Sequence, residues 1–290
     1  MGRILLAVGA LILAAGHPAD GSVPLRPGPA IALQTTKNVR TVSLVWRDRS
    51  DFGRSGVAED SLAAGDGRIF YLQDGALVAA TLASGRRLWR YGSGLEGPLA
   101  YAGGTVYMVE RASQVVALAA PTGRPRWRVD TGLKRMNQLR TYGELVLANS
   151  YWDGGVALDA HTGETRWRLR EEGSLGPVAV ARGMVYWELS QGEPHFPHVL
   201  ALELRTGRRL WRASHAHPPL AIEGDRVYLS DTWVWTQLDD PDNVQIRVIN
   251  RRTGKHLARW EYRADFTCGN QIQWRTDAIL QGRYLYVTES

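Results

Sequence analysis

The 290-residue chain contains a single cysteine, Cys268, so no disulfide can form within it. Stability must therefore come from burial and hydrogen bonding, whatever the redox state of the compartment. Helical patterning is also missing, because no segment after residue 16 sustains an apolar period of 3.6 residues. This absence excludes helical solenoids. What the chain has in quantity is glycine, with 31 residues, and tryptophan, with 11, and both recur at regular intervals.

Lysine is scarce as well, since Lys37, Lys134 and Lys255 are the only three, and the formal net charge of +6 is carried by arginine. The arginines are scattered among acidic residues and form no run. We therefore expect a solvated surface rather than a patch for anionic lipid or polysaccharide, and no nucleic-acid partner.

The N-terminus has the three parts of a secretory signal. Arg3 is followed by an apolar run over residues 4–15, too short to span a bilayer, and by small residues at 14–16. We predict a signal peptide over 1–16, a Pro/Gly-rich linker over 17–29 and one domain over 30–290. The expected location is the periplasm or cell envelope, with secretion as a variant and no transmembrane segment after cleavage. No cysteine lies where a lipoprotein signal needs one, so we expect no covalent lipid anchor.

One stretch, residues 157–167 (ALDAHTGETRW), recurs at 79–89, 117–127, 201–211 and, with two added residues, 248–260. A self-similar period of about forty residues indicates a stacked or radial repeat. Each copy follows two short apolar runs joined by a glycine turn, which is the pattern of a β-hairpin. The repeated positions are Trp89, Trp127, Trp167, Trp211 and Trp260, with Gly85, Gly123, Gly163, Gly207 and Gly254.

Each repeat thus predicts four antiparallel strands, A to D, and the fold class is an all-β propeller of about six blades. Five blades are complete, over about 61–90, 99–128, 138–168, 177–212 and 219–262. The chain ends two strands into a sixth. The runs 31–34 and 41–46 would complete that blade as a clasp; the alternative is a truncated sequence with an open ring.

The repeated residues have structural reasons. Gly163 can adopt the positive φ of the turn, and Asp159 can accept hydrogen bonds from its backbone N–H groups. Trp167 is large enough to fill the wedge between blades, with its indole N–H reaching a carbonyl. The motif therefore predicts architecture rather than a reactive site.

The pattern A-x-D-x-x-T-G-x-x-x-W resembles the repeat of PQQ-like (quinoprotein) β-propellers, a family of alcohol dehydrogenases and of BamB-like assembly proteins. Its enzymes hold PQQ and Ca²⁺ beneath an adjacent cysteine pair, which this chain lacks. The resemblance therefore implies no cofactor and no enzymatic activity. It implies a monomeric scaffold with a protein partner in outer-membrane or envelope protein assembly. The alternatives are a PQQ-binding quinoprotein dehydrogenase and a ligand-sensing propeller.

Function in such a scaffold is expected on irregular loops. The B–C loops lengthen along the chain, from 74–75 through 150–155 and 190–197 to 231–243, with a long connection at 263–276. Candidate partner-binding residues on the longest loop are Trp233, Trp235, Asp239, Asp240 and Asp242. The weak candidates for a metal site are His195, His198, His215 and His217, whose spacing suits zinc or copper if the imidazoles converge.

Overall fold

A computed structural model describes residues 11–14, 62–111, 113–171, 174–191, 196–230, 243–263, 276–281 and 284–289. Every regular element in these ranges is a β-strand. No helix within them is long and apolar enough to cross a membrane. The prediction of an all-β fold of four-stranded blades is confirmed.

Five antiparallel sheets of four consecutive strands form the complete blades. Blade 1 comprises β2 (Leu62–Gly65), β3 (Arg68–Gln73), β4 (Ala76–Thr81) and β5 (Arg87–Tyr91). Blade 2 comprises β6 (Leu99–Ala102), β7 (Thr105–Glu110), β8 (Gln114–Ala119) and β9 (Pro125–Asp130). Blade 3 comprises β10 (Met136–Tyr142), β11 (Leu145–Ser150), β12 (Gly154–Asp159) and β13 (Thr165–Leu169). Blade 4 comprises β14 (Ser174–Ala181), β15 (Met184–Gln191), β16 (Phe196–Glu203) and β17 (Arg209–Ser214). Blade 5 comprises β18 (Ala221–Glu223), β19 (Arg226–Ser230), β20 (Asn243–Asn250) and β21 (His256–Arg263).

A sixth sheet contains β22 (Thr276–Gln281), β23 (Tyr284–Glu289) and, on the free side of β23, β1 (Leu11–Ala14). Strand β1 lies in the apolar run predicted as the core of the signal peptide. Cleavage at residues 14–16 would remove β1 and expose that edge of β23. The clasp runs 31–34 and 41–46 lie outside the described residues.

A β-bulge lies at the same place in every blade. In blade 3, Ala157 is opposite Trp167 but Leu158 is opposite Thr165, so Arg166 is the extra residue. The same shift follows Ala79, Ala117, Ala201 and Val248. In blade 5 the residue opposite Val248 is Ala258, so Trp260 lies two residues beyond the bulge-aligned position. Bulges re-aim side chains, and here the shift precedes the motif tryptophan.

The tryptophans join one blade to the next. Indole Nε1 donates to a carbonyl in the following blade, over 2.6 to 3.0 Å: Trp89 to Ala120, Trp127 to Ala160, Trp167 to Leu204 and Trp211 to Arg251. Each ring also covers the glycine three residues after that carbonyl. A Cβ on Gly163 would lie 2.7 Å from Cε3 of Trp127. We call each pair of tryptophan and glycine an inter-blade latch.

The hydrophobic core is likewise divided between neighbouring blades. One cluster joins Phe70 and Leu77 of blade 1 to Val106 and Met108 of blade 2. Equivalent clusters join blades 2 and 3, blades 3 and 4, and blades 4 and 5. The packed faces of the blades therefore stabilise the array, while the strand ends form its two exposed faces.

Two loops are shorter than the sequence predicts. Strands β11 and β12 pair as far as Ser150 opposite Gly154, so the loop placed at 150–155 contains only 151–153. Strands β15 and β16 continue pairing as far as Gln191 opposite Phe196, so the loop placed at 190–197 contains only 192–195. Pro197 is accepted inside β16 because the pairing with β17 stops at His198. Beyond that point the Pro197 carbonyl still accepts the Ala216 N–H over 3.1 Å, and the missing Pro197 N–H leaves no bond of the β16–β17 ladder unmade.

Candidate interaction surface

The two exposed faces differ in regularity. The turn face carries the A–B and C–D turns, and the loop face carries the B–C turns and the connections between blades. On the loop face, B–C turns and connections are hydrogen-bonded to each other: Leu95 N donates to Gly75 O over 2.8 Å, and Thr131 N to Ser113 O over 2.9 Å. Each of these bonds joins a B–C turn to the connection that leaves the same blade.

The B–C turn of blade 3 presents two aromatic side chains to solvent. Tyr151 is 47% exposed and Trp152 is 68% exposed, although large aromatic side chains are usually well covered. The turn beneath them is fixed by polar contacts. Ser150 Oγ accepts hydrogen bonds from the backbone N–H groups of Trp152 and Asp153, and it donates to Lys134 O over 2.5 Å.

Asp153 anchors the same turn to the connection that enters blade 3. Its Oδ2 accepts the Lys134 backbone N–H over 2.7 Å and lies 3.2 Å from Ser150 Oγ. Gly154 follows with φ of +89°, and a Cβ there would lie 2.1 Å from Leu169 O. No other residue fits at that close approach to β13. These contacts restrain the backbone that carries Tyr151 and Trp152.

A cleft of about 640 Å³ lies beside this turn. Its lining includes Asp130, Leu133, Asp153, Arg168, Leu169 and Arg170. Leu133 and Leu169 are buried, at 3% and 7% exposure, so the cleft has an apolar floor between charged walls. The walls are held in place by backbone contacts, since the Arg168 guanidinium donates to Thr131 O and Asp130 Oδ1 accepts the Gly132 N–H. Such a cleft can accept an apolar side chain whose neighbours make polar contacts.

Three of the four candidate histidines lie in the described part of the chain, and they do not converge on one point. The rings of His198 and His215 have centroids 6.3 Å apart, and His217 Nδ1 lies 3.2 Å from Glu188 Oε2. Burial lowers the pKa of His198, and the charges of Arg212 and His215 lower it further. His198 lies in β16, directly after the loop predicted at 190–197. Within the described part of the chain, no three His, Cys, Asp or Glu side chains converge to hold a metal ion. His195 lies outside that part, so the metal site stays a prediction.

The partner-binding candidates Trp233, Trp235, Asp239, Asp240 and Asp242 also lie outside the described residues, and their role stays a prediction. Tyr151 and Trp152 were not singled out from sequence, although they lie in the 150–155 loop noted there. The available signal was two adjacent aromatic residues among Ser, Asp and Gly, at a turn too short to fold back over them.

The sequence matches the family model described as outer membrane protein assembly factor BamB over residues 38–151, 73–185 and 143–288. A curated relative, outer membrane protein assembly factor BamB of Nitrosomonas eutropha (strain DSM 101675 / C91 / Nm57), is 26% identical over 123 residues. That match covers 42% of this chain and only 29% of the relative.

Among solved structures, the computationally designed Ika8 protein has a TM-score of 0.57 at 13% identity, covering 78% of this chain and 69% of that one. BamB from Moraxella catarrhalis has a TM-score of 0.49 at 17% identity, covering 78% and 80%. The similarity to Ika8 concerns the fold alone. The family assignment rests instead on the sequence match, whose three overlapping segments together extend from residue 38 to residue 288. This chain belongs to the PQQ-like β-propeller repeat family whose model is described as outer membrane protein assembly factor BamB.

Proposed function

We propose that this protein is a non-catalytic scaffold of the cell envelope, and that it binds a protein partner through the loop face in outer-membrane protein assembly. The observation that carries the proposal is the pair Tyr151 and Trp152, exposed on a fixed turn beside the cleft. The family description supports the setting. Export, which the N-terminal signal pattern predicts, would bring the scaffold to the compartment of such a partner.

Aromatic side chains suit this role because they carry large contact areas with few rotatable bonds. Truncating an anchoring Trp or Tyr at an interface typically costs about 2 kcal/mol or more. The fixed backbone lowers the entropic cost of binding, since the turn needs no ordering when the partner arrives. The adjacent cleft would accept an apolar side chain of the partner against Leu133 and Leu169, with Asp130 and Arg170 at its margin.

A pull-down from envelope extract tests the proposal with two matched variants. Tyr151→Ala/Trp152→Ala removes the proposed anchor, and Leu82→Ala removes a 50%-exposed apolar side chain on the turn face. We expect wild type and Leu82→Ala to retain a component of the outer-membrane protein assembly machinery, identified by mass spectrometry. The double variant should lose it. Equal retention by all three proteins would remove this turn as the docking site.

The alternative function, a quinoprotein dehydrogenase, has its own direct test. Purified protein would be titrated with PQQ and Ca²⁺ while the absorbance of bound quinone and dye-linked alcohol oxidation are followed. We expect neither signal. Quinone binding with turnover would replace the scaffold proposal with an enzymatic one.

A further inference from the structure

The turn face carries an excess of positive charge that the linear sequence conceals. The five C–D turns span residues 82–86, 120–124, 160–164, 204–208 and 251–255. They display one exposed acid, Glu164, and six exposed basic residues: Arg86, Arg124, Arg205, Arg208, Arg252 and Lys255. Four of these, Arg86, Arg124, Arg208 and Lys255, directly follow the motif glycine, so they hold the same place in four different blades.

These turns are rigid supports for their charges. In each blade the C–D turn donates a backbone hydrogen bond to the A–B turn, as Leu82 does to Gly67 over 2.8 Å and Arg251 to Asp225 over 2.7 Å. The inter-blade latches hold four of the C–D turns from the other side, through their carbonyl groups and glycines. The basic side chains therefore project from fixed positions on one surface.

The acidic residues of the A–B turns do not cancel this excess. Those hairpin ends are close to neutral, with Arg68, Arg182 and Arg226 set against Asp66, Glu144, Glu223 and Asp225. Asp225 is already engaged by the largely buried guanidinium of Arg251, with Nη2 to Oδ1 at 3.0 Å. Two of the six exposed basic residues make ion pairs, and both have long N···O distances: Arg208 to Glu203 at 3.7 Å and Arg252 to Asp225 at 3.5 Å. Exposed pairs of this kind neutralise little.

We propose that the turn face docks onto an anionic phospholipid bilayer. The basic residues are spread over four blades instead of converging on a pocket, so the complementary partner must be negatively charged over a wide area. Two leucines on this side of the molecule, Leu82 at 50% exposure and Leu257 at 46%, add apolar contacts of the kind that enter a headgroup layer. An acidic protein would need its carboxylates spaced to match separate blades. A lipid surface needs no such match.

This surface is distinct from the one proposed for the protein partner, since it lies at the opposite strand ends. Docking through the turn face would leave Tyr151, Trp152 and the cleft facing away from the bilayer. The two proposals are independent, because each face is tested by its own substitutions.

Vesicle co-sedimentation at low and high salt tests the proposal. The probes are vesicles of phosphatidylcholine alone and of phosphatidylcholine mixed with phosphatidylglycerol. The turn-face variant is Arg86→Gln/Arg124→Gln/Arg208→Gln/Lys255→Gln. The matched control, Arg111→Gln/Lys134→Gln/Arg135→Gln/Arg170→Gln, removes the same charge from exposed residues of the loop face. Circular dichroism and urea unfolding would establish that both variants are folded.

We expect wild type to bind the phosphatidylglycerol vesicles and to be released by salt. Each basic residue near an anionic surface contributes about a fivefold gain in affinity, so the turn-face variant, which lacks four of them, should bind roughly six-hundredfold more weakly. The control should remain within about threefold of wild type. Equal losses of vesicle affinity in both variants would show that binding depends on net charge alone, and the turn face would not be the docking surface. Absence of wild-type binding to anionic vesicles, or capture of an acidic protein by the turn face instead, would overturn the proposal.

Discussion

Replacing Gly163 with alanine should weaken the contact between blades 2 and 3 without removing any polar group. Gly163 has φ of +78°, and the added Cβ would lie 2.7 Å from Cε3 and 2.9 Å from Cδ2 of Trp127. Real Cβ contacts are essentially never this close, and the indole has little room to withdraw because its Nε1 is bonded to Ala160 O over 3.0 Å.

The cost has two separable parts. An alanine at positive φ loses about 1 kcal/mol relative to glycine at any such turn. Forcing the Trp127 ring from its place adds the cost of overpacking, about 1 to 3 kcal/mol. Gly143 provides the control in the same blade, because it has φ of +58° and nothing within 4 Å of its would-be Cβ. Gly143→Ala should therefore lose about 1 kcal/mol and Gly163→Ala about 2 to 4 kcal/mol.

Urea unfolding followed by far-ultraviolet circular dichroism measures both losses. The transition midpoint should fall further for Gly163→Ala, and near-ultraviolet dichroism should change only for that variant because Trp127 is displaced. If both variants lost the same stability, the glycine of the motif would serve the turn alone. The contact between Trp127 and Gly163 would then contribute nothing measurable to the free energy of unfolding.

Two further predictions concern hydrogen bonds made by residues of the repeated motif. Trp89→Phe and Trp127→Phe each shrink the ring of an inter-blade latch and remove its indole hydrogen bond. The lost hydrogen bond should add about 1 kcal/mol to the cost of Trp89→Phe in urea unfolding and less to that of Trp127→Phe, because the Tyr107 hydroxyl also donates to its acceptor, Ala160 O, over 3.1 Å. A larger total loss for Trp127→Phe would contradict this account. Hydrogen bonds from the Arg166 guanidinium and from the turn N–H groups hold the pKa of Asp159 well below its usual range. The carboxylate therefore stabilises the fold fully above the ordinary carboxyl pKa and loses this effect as pH falls through the lowered value, so Asp159→Asn should cost about 1 kcal/mol at neutral pH. The difference in unfolding free energy between wild type and Asp159→Asn should become smaller as pH falls below about 4, and urea unfolding at neutral and at acidic pH would measure it. A difference that does not change with pH would count against the ion pair.

Local sequence was sufficient for the blade itself. The glycine turns and alternating apolar runs predicted the hairpins, because both signals act between residues only a few positions apart. The bulge after Ala157 was not predicted, because the alternation of residues within each strand does not reveal that Arg166 has no opposite residue in β12. The extent of β16 was also missed, since the proline at position 197 suggests a loop unless the end of β17 is known.

The sequence by itself determined the repeat, the four-stranded blade and the place of each turn, because these depend on the conformational preferences of short segments. Only the tertiary structure decided which side chains meet across blades, as Trp127 meets Gly163, since such pairs are dozens of residues apart in the chain. It also decided where charge accumulates. Arginines that look scattered along the chain, such as Arg86 and Arg208, lie on one surface because every blade places its C–D turn at the same end of the array.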